Sequence, residues 1–379
     1  MISMPDETYK TAVNHYLSPK RQDNVKVKWE RQFSRDLTQK LVSKLVTQSD
    51  FKSLSVIDFG CGIGEGLTLF YDIFKELKID QNHLNYIGVD ISPEMLKTAS
   101  QKWQGFNNVE FLLQDFRDGI PDHPSQIYYS CGVPYSHLTQ EEMFGVLVNI
   151  FKAIKCNQTE SLILIDVLGR YSIEWITKWS ESRWSYRMSF LAEAADSQTP
   201  MSMTCYYAPE LTQLFDEAAK QSGCEILSLD FYDRSIMVGR HTTTNEYNPY
   251  IPAYRELVNS LYELEATDLQ KLLLNCPLPD APQPVKAFFA TFAQEWNALI
   301  ATAAQLRSET EEFAGICTDT SRAMAFREMV LTQRSVGTSQ QTDPLELLLA
   351  EQLRQLEIEL QPGLGISHTL IGVLEVKGV

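Results

Sequence analysis

The sequence has no Cys-x-x-Cys pair, no cluster of histidines and no apolar run long enough to cross a membrane. Its seven cysteines, at 61, 131, 156, 205, 224, 276 and 317, are scattered and odd in number. That argues against a disulfide framework and against a structural zinc site. They read instead as small buried residues of a reducing compartment. The longest apolar stretches, such as Val56-Ile57 ahead of Asp58 or Leu162 to Ile165, are strand-sized, well short of the roughly 18 to 20 residues of a membrane span. The opening MISMPDETYK is acidic early and lacks an apolar h-region. No secretory signal is therefore expected, and the cytoplasm is the expected compartment. Basic residues are also scarce: 33 Lys and Arg against 49 Asp and Glu leave a net charge of −16. Such a surface repels phosphate backbones, so nucleic acid is not an expected partner, nor is a membrane. No convincing set of carboxylates and amides for a divalent cation is present, and no metal is expected.

What the chain does have is an apolar share of 44% over 379 residues, ample for a buried core and for more than one compact unit. From about Leu54 to Arg240, short apolar runs alternate with helix-period segments, the pattern of a doubly wound α/β sheet. Strands are expected at Leu54–Phe59, Asn85–Asp90, Val109–Leu113, Gln126–Cys131 and Ser161–Val167. Helices are expected at Glu65–Lys75, Pro93–Trp103, Gln140–Ile154 and Pro209–Gln221. Glu225–Phe231 and Ser235–Gly239 are separated by only three residues, too few for a helical crossover, and read as a terminal antiparallel hairpin. Trp29 to Val46 is an amphipathic helix by its four-residue apolar spacing. Beyond Glu246 the pattern is helical, with stripes such as Val285 to Ile300 and Leu345 to Leu360, and GLGISHTLIGVLEV is a candidate last strand. The expected division is a helical cap over 1–49, a central unit over 50–245 and a mostly helical C-terminal region over 246–379, the last a possible dimer interface.

The chemistry concentrates in VIDFGCGIGEG. An acidic residue, Asp58, closes a buried strand, and Gly60, Gly62 and Gly64 follow at two-residue spacing just before a helix. A turn without side chains lets the backbone approach a ligand, and the helix start offers free N–H groups. The third glycine comes too early for the dinucleotide fingerprint, and a carboxylate ahead of the first glycine suits a cationic ligand better than a pyrophosphate.

At these residues the chain resembles the class I S-adenosylmethionine-dependent methyltransferases, whose first motif is acidic-x-Gly-x-Gly-x-Gly. The resemblance covers about residues 50–240 and implies a Rossmann-like sheet, with which five parallel strands plus an antiparallel hairpin agree; the added α-helical C-terminal region lies outside it. It implies that the glycine loop passes under the methionine moiety, with Asp58 near its ammonium group. Asp90, in YIGVDISPEML, then accepts the ribose hydroxyls. Asp115, in NVEFLLQDF, bonds the adenine amino group, with Phe116 beside it. Cys131 and Gly132 lie beside the methionine end.

Methyl transfer from a sulfonium needs a nucleophile held in line and water kept out. A base is needed only where the acceptor must lose a proton. In YYSCGVPYSHLT, Tyr135 and His137 are the candidate acceptor-side groups, His137 being the better base because an imidazole titrates near neutrality. Asp166 at the end of the fifth strand and Arg170 after it either orient an acceptor or pair with each other. The segment 170–207 is dense in aromatics, among them Trp175 and Trp184; it reads as a lid over an apolar acceptor or as a helix packing its own rings on the sheet. The expected reaction is methyl transfer to an O or N atom of a small, apolar or aromatic molecule. A peptide or protein acceptor docked on the C-terminal helices, or a non-catalytic binding protein, are the alternatives.

Overall fold

The strand β1 (Leu54–Phe59) is buried along its whole length, as a strand covered by helices on both faces must be. Around it, the computed structural model describes residues 13, 22–47, 51–186, 201–239, 247–263, 267–308, 313–336 and 343–379. Most of residues 1–21, in the expected cap, and 187–200, in the middle of the expected aromatic segment, lie outside the described residues. A π-helical turn over Val25–Arg31 leads into α1 (Gln32–Val46). The central unit then alternates β1, α2 (Glu65–Glu76), β2 (Leu84–Asp90), α3 (Pro93–Lys102), β3 (Val109–Leu113), β4 (Ile127–Ser130), α4 (Gln140–Asn157) and β5 (Glu160–Gly169).

Local signals set these boundaries. Ser92 caps α3 by accepting from the Met95 N–H, with Pro93 at the first helical position. Thr139 and Glu142 form a reciprocal capping box on α4, satisfying two backbone donors that a helix start leaves free. The five strands pair in parallel in the order β3-β2-β1-β4-β5.

After β5 the chain departs from the expected layout. A 3₁₀ segment over Ile173–Lys178 precedes β6 (Arg183–Tyr186), which pairs antiparallel with β7 (Met201–Tyr206). β7 touches β5 only at Leu168 and Gly169. The helix α5 (Ala208–Ser222) leads into β8 (Cys224–Arg234). The expected hairpin partner, Ser235–Gly239, forms no strand. Its Ile236, Met237 and Val238 are buried, but the Met237 N–H donates to the Glu357 carboxylate (2.7 Å), not to a neighbouring strand. β8 pairs instead with β9 (Thr369–Gly378), which lies antiparallel between β5 and β8. The antiparallel pair is present, but its second strand is the candidate strand of the tail. The helices α6 (Tyr254–Glu263), α7 (Leu269–Leu272), α8 (Gln283–Leu306), α9 (Ser321–Val336) and α10 (Leu345–Glu359) are therefore looped out between two sheet strands. The expected region 246–379 thus divides: its helices form the insertion, and its last ten or so residues belong to the sheet.

Asp233 fastens this arrangement. Its buried carboxylate accepts from the N–H groups of Leu364, Gly365 and Ile366 and from the Ser367 hydroxyl, at 2.8 to 3.0 Å. The turn into β9 is thereby tied to the end of β8. One apolar layer packs α1 and α2 on the sheet, and a second packs α4 and α5 on its other face. The third and largest joins the inserted helices to Trp175, Trp179 and Trp184, with Trp179 stacked on Phe289 of α8 at 5.8 Å. Among the described residues no helix is long and apolar enough to cross a membrane.

Candidate active site

β1 ends at the C-terminal edge of the sheet, and the chain turns through Gly60, Gly62 and Gly64 at φ of 68°, 53° and 81°. Only glycine enters this left-handed region without strain. The three positions differ in their surroundings. A Cβ on Gly60 would come within 2.7 Å of the Pro134 ring, whereas one on Gly62 would meet nothing within 4 Å. Gly62 is the point at which the backbone lies open to a ligand. Gly64 caps α2, whose first-turn N–H groups give the loop a positive rim. Gly66 was overlooked in the sequence. A Cβ there would fall 2.2 Å from the Asp58 carboxylate, so the fourth glycine makes room for the acid beneath the loop.

The carboxylates divide into distinct environments. Asp90 closes β2 half-buried, taking the Gly62 N–H on Oδ2 (2.8 Å) and the Ser92 N–H on Oδ1 (2.9 Å). It latches the glycine loop, and each oxygen keeps a lone pair for a further donor. Burial raises its affinity for a proton, and these backbone bonds offset part of that rise. Asp58 is fully buried: Oδ2 accepts the Tyr86 hydroxyl, and Oδ1 has no partner. Burial pushes its carboxyl up to about 8, with the negative charges of Asp166 and Asp90 adding to the effect. Asp115 behaves in the opposite way. Burial works to raise it, but the Arg117 guanidinium, paired at 2.6 Å, outweighs burial and holds it below the usual range. A ligand amino group at Asp115 therefore has to share that carboxylate with Arg117. Phe116 is buried against Phe59 and Tyr135, each at 5.6 Å.

Beyond β4 the chain passes through Cys131, Gly132 and Val133, the last two at φ of 110° and 58°. Asp166 holds them there. Its Oδ2 accepts the N–H groups of Gly132 (2.6 Å) and Val133 (2.9 Å), and its Oδ1 takes the Ser130 hydroxyl (2.8 Å). A non-glycine residue in the left-handed region persists only where its surroundings over-determine it, and this carboxylate supplies that constraint. Asp166 is therefore a buried clamp on the loop, not an acceptor ligand as its strand-end position suggested. Ser136 adds a second tie, accepting the Leu168 N–H at 2.8 Å. The Cys131 thiol is raised by burial and then by Asp58 and Asp166, so it stays a neutral thiol.

Four further expectations are revised. Tyr135 is buried against Phe59 and Phe116, with its phenol pushed far above its usual range by burial and by Asp166 and Asp58, so it stays a neutral phenol. His137 is half-buried; burial and the neighbouring Arg183 pull its imidazole down to about 4, so it is neutral and weakly basic at pH 7. Arg170 pairs with Glu210 of α5 at 2.7 Å, not with Asp166. Trp175 and Trp184 lie in the core, 5.8 Å apart, and not on an open acceptor wall. Trp175 donates from Nε1 to the Gly169 carbonyl. Sequence reading also missed Tyr86 and Arg183. Tyr86 could have been found by strand register, since residues 54–59 and 84–89 pair one to one and bring β2 side chains beside Asp58.

With this geometry in place, residues 50–159 match the family model described as a methyltransferase domain. The matched segment holds the glycine loop, Asp58, Asp90 and Asp115, and is what this chain shares with methyltransferase domains. A putative methyltransferase of Bacillus subtilis strain 168, YqeM, is 24% identical over 120 residues, spanning 31% of this chain and 44% of that protein, so less than half of that relative's length is matched. Among solved structures, an S-adenosylmethionine-dependent methyltransferase from Clostridium acetobutylicum aligns over 58% of this chain and 89% of its own, at 15% identity and a TM-score of 0.36. The plantazolicin methyltransferase BpumL in complex with SAH aligns over 63% and 83%, at 18% identity and a TM-score of 0.36.

The resemblance implies S-adenosylmethionine as the cofactor, and the residues present fit it. The open backbone at Gly62 and the unpartnered buried Oδ1 of Asp58 suit a ligand carrying positive charge. Asp90 retains acceptor capacity for the ribose hydroxyls.

Proposed function

We propose that the protein transfers the methyl group of S-adenosylmethionine to an O or N atom of a small, apolar or aromatic molecule. The observation that carries the reading is the convergence of Gly62, Asp58 and Asp90 under one loop: open backbone, a buried acid with a spare oxygen, and a half-buried acid latching the loop. When bound, the cofactor supplies an electrophilic methyl group beside a positively charged sulfur. The chain's own part is to hold that charge and to shape the acceptor edge.

Asp166 fixes Gly132 and Val133, and Val133, Tyr171 and Tyr207 pack against the core that contains the inserted helices. Apolar packing beside the loop supports a small, apolar acceptor there, with water kept away from the transfer. His137, with its depressed imidazole, is too weak a base to remove a proton ahead of methyl transfer at neutral pH. That supports an acceptor atom that is already nucleophilic, such as a neutral amine or an ionised oxygen, with any proton lost after attack.

Calorimetry should give micromolar binding of S-adenosylmethionine and its demethylated product, about −8 kcal/mol. Incubation with labelled cofactor and a panel of small amines, phenols and carboxylic acids should transfer label to at least one. Absence of binding to either cofactor form, beside tight binding of NAD, would overturn the reading.

Asp90→Ala probes the latch. Hydrogen bonds to a charged group are worth roughly 1.5–3 kcal/mol, so cofactor affinity should fall about tenfold to a hundredfold in a variant with an unchanged circular dichroism spectrum. Undiminished affinity would remove Asp90 from the site.

A further inference from the structure

We propose that Asp58 carries a proton in the cofactor-free protein and gives it up when the cationic cofactor binds, so that cofactor binding releases a proton. The inference rests on the cofactor reading above and concerns only this chain's own carboxyl. Asp58 is wholly buried, with Oδ1 unpartnered and Oδ2 held by a neutral hydroxyl donor, Tyr86. An ionised carboxylate here would be a buried charge lacking half of its hydrogen bonds, an arrangement that costs several kcal/mol. The elements packed around it do not relieve that cost. β2 contributes Tyr86 and Asp90, the glycine turn Cys61, β4 and its end Tyr129 and Cys131, the turn over Pro134–His137 Tyr135, and β5 Asp166. The charges that act on Asp58 itself are those of Asp166 and Asp90, both negative. Glu65 of α2 and Arg234 of β8 make themselves felt at Cys131, Arg234 as a weak opposing effect.

A neutral acid is therefore the favoured resting form, with burial as the largest contribution. A ligand carrying an ammonium and a sulfonium group reverses the balance: a positive charge beside the loop favours the carboxylate. The proton goes to solvent. The sign follows from linkage. Because the proton is held more tightly without cofactor than with it, Asp58 makes affinity rise with pH until the free carboxyl has titrated, near pH 8, above which only the cofactor's own amine contributes a pH dependence.

The test is calorimetry of S-adenosylmethionine with the full chain in buffers of different ionisation enthalpy. The slope of observed heat against buffer enthalpy counts protons. At pH 7 the expected slope is close to one proton released per cofactor, the share due to Asp58 falling towards zero above pH 9, with affinity rising up to about tenfold per pH unit below the titration. Asp58→Asn should remove that release and leave only any uptake by the cofactor's own amine. A slope unchanged by Asp58→Asn, or no slope in the natural chain, overturns the proposal while leaving the cofactor reading intact. Should the Asn variant not fold, Tyr86→Phe serves instead: loss of the hydroxyl donor should shift the break in the affinity profile to higher pH, and an unmoved break overturns the proposal. Absence of cofactor binding at every pH overturns both.

Discussion

A chain lacking residues 369–379 is expected not to fold. Those residues form β9, hydrogen-bonded to β5 on one side and β8 on the other. Leu370, Ile371, Val373, Leu374 and Val376 are all buried there. At roughly 1.5–3 kcal/mol for each apolar side chain, their loss removes on the order of 8–15 kcal/mol. The whole net stability of a typical domain is about 5–15 kcal/mol. The deletion would also strip β5 of a partner along nearly its full length, leaving an apolar edge open to association. Expression of the shortened chain should give insoluble protein, or soluble protein without a cooperative thermal transition. A well-folded deletion variant with a near-natural transition would mean that β9 contributes little to the sheet.

Trp175→Ala is expected to destabilise the protein by about 3–5 kcal/mol, the cost of emptying a large ring from a packed core. The indole is 0% exposed, meets Trp184, Tyr186 and His368 at 5.5 to 6.1 Å and donates to the Gly169 carbonyl. Removing it leaves a cavity and a carbonyl without its donor. Urea denaturation should show a lower midpoint with little change in slope. Unchanged stability together with a raised acceptor KM would instead return Trp175 to the lid role that the density of aromatics first suggested.

The glycine loop and its neighbours were legible because everything that defines them is local. Asp58, Gly60, Gly62 and Gly64 lie within seven residues, and strand, turn and helix each leave their own period in the sequence. Asp90 was legible for the same reason, at the end of one strand and the start of one helix. The partner of β8 was not. SIMVG, residues 235–239, is as apolar as a strand and close enough for a hairpin, and nothing local says that its Met237 N–H turns to a glutamate more than a hundred residues away. Pairing with β9 is written in the fit between distant segments. Trp175 and Trp184 mislead in another way: a ring that lines a pocket and a ring that fills a core have the same composition. Asp166 was placed correctly at the edge of the sheet, but only the fold shows that its oxygens are already occupied by Ser130, Gly132 and Val133.

The placing of β9 also sets an order of events during synthesis. The five parallel strands can emerge and pair in sequence, but the space between β5 and β8 has to wait while residues 235–368 are made. Through that interval β5 holds only its neighbours β4 and β7, and β8 has no strand beside it. Contacts separated by so much chain close slowly, because a long loop must be ordered before the pairing rewards it. The growing protein therefore spends the translation time of the inserted helices, several seconds or more at roughly 5–20 residues per second, with two unsatisfied edges facing the same gap. Chaperone occupancy of that gap should be greatest on ribosomes stalled just before Thr369 and should fall once β9 has cleared the exit tunnel.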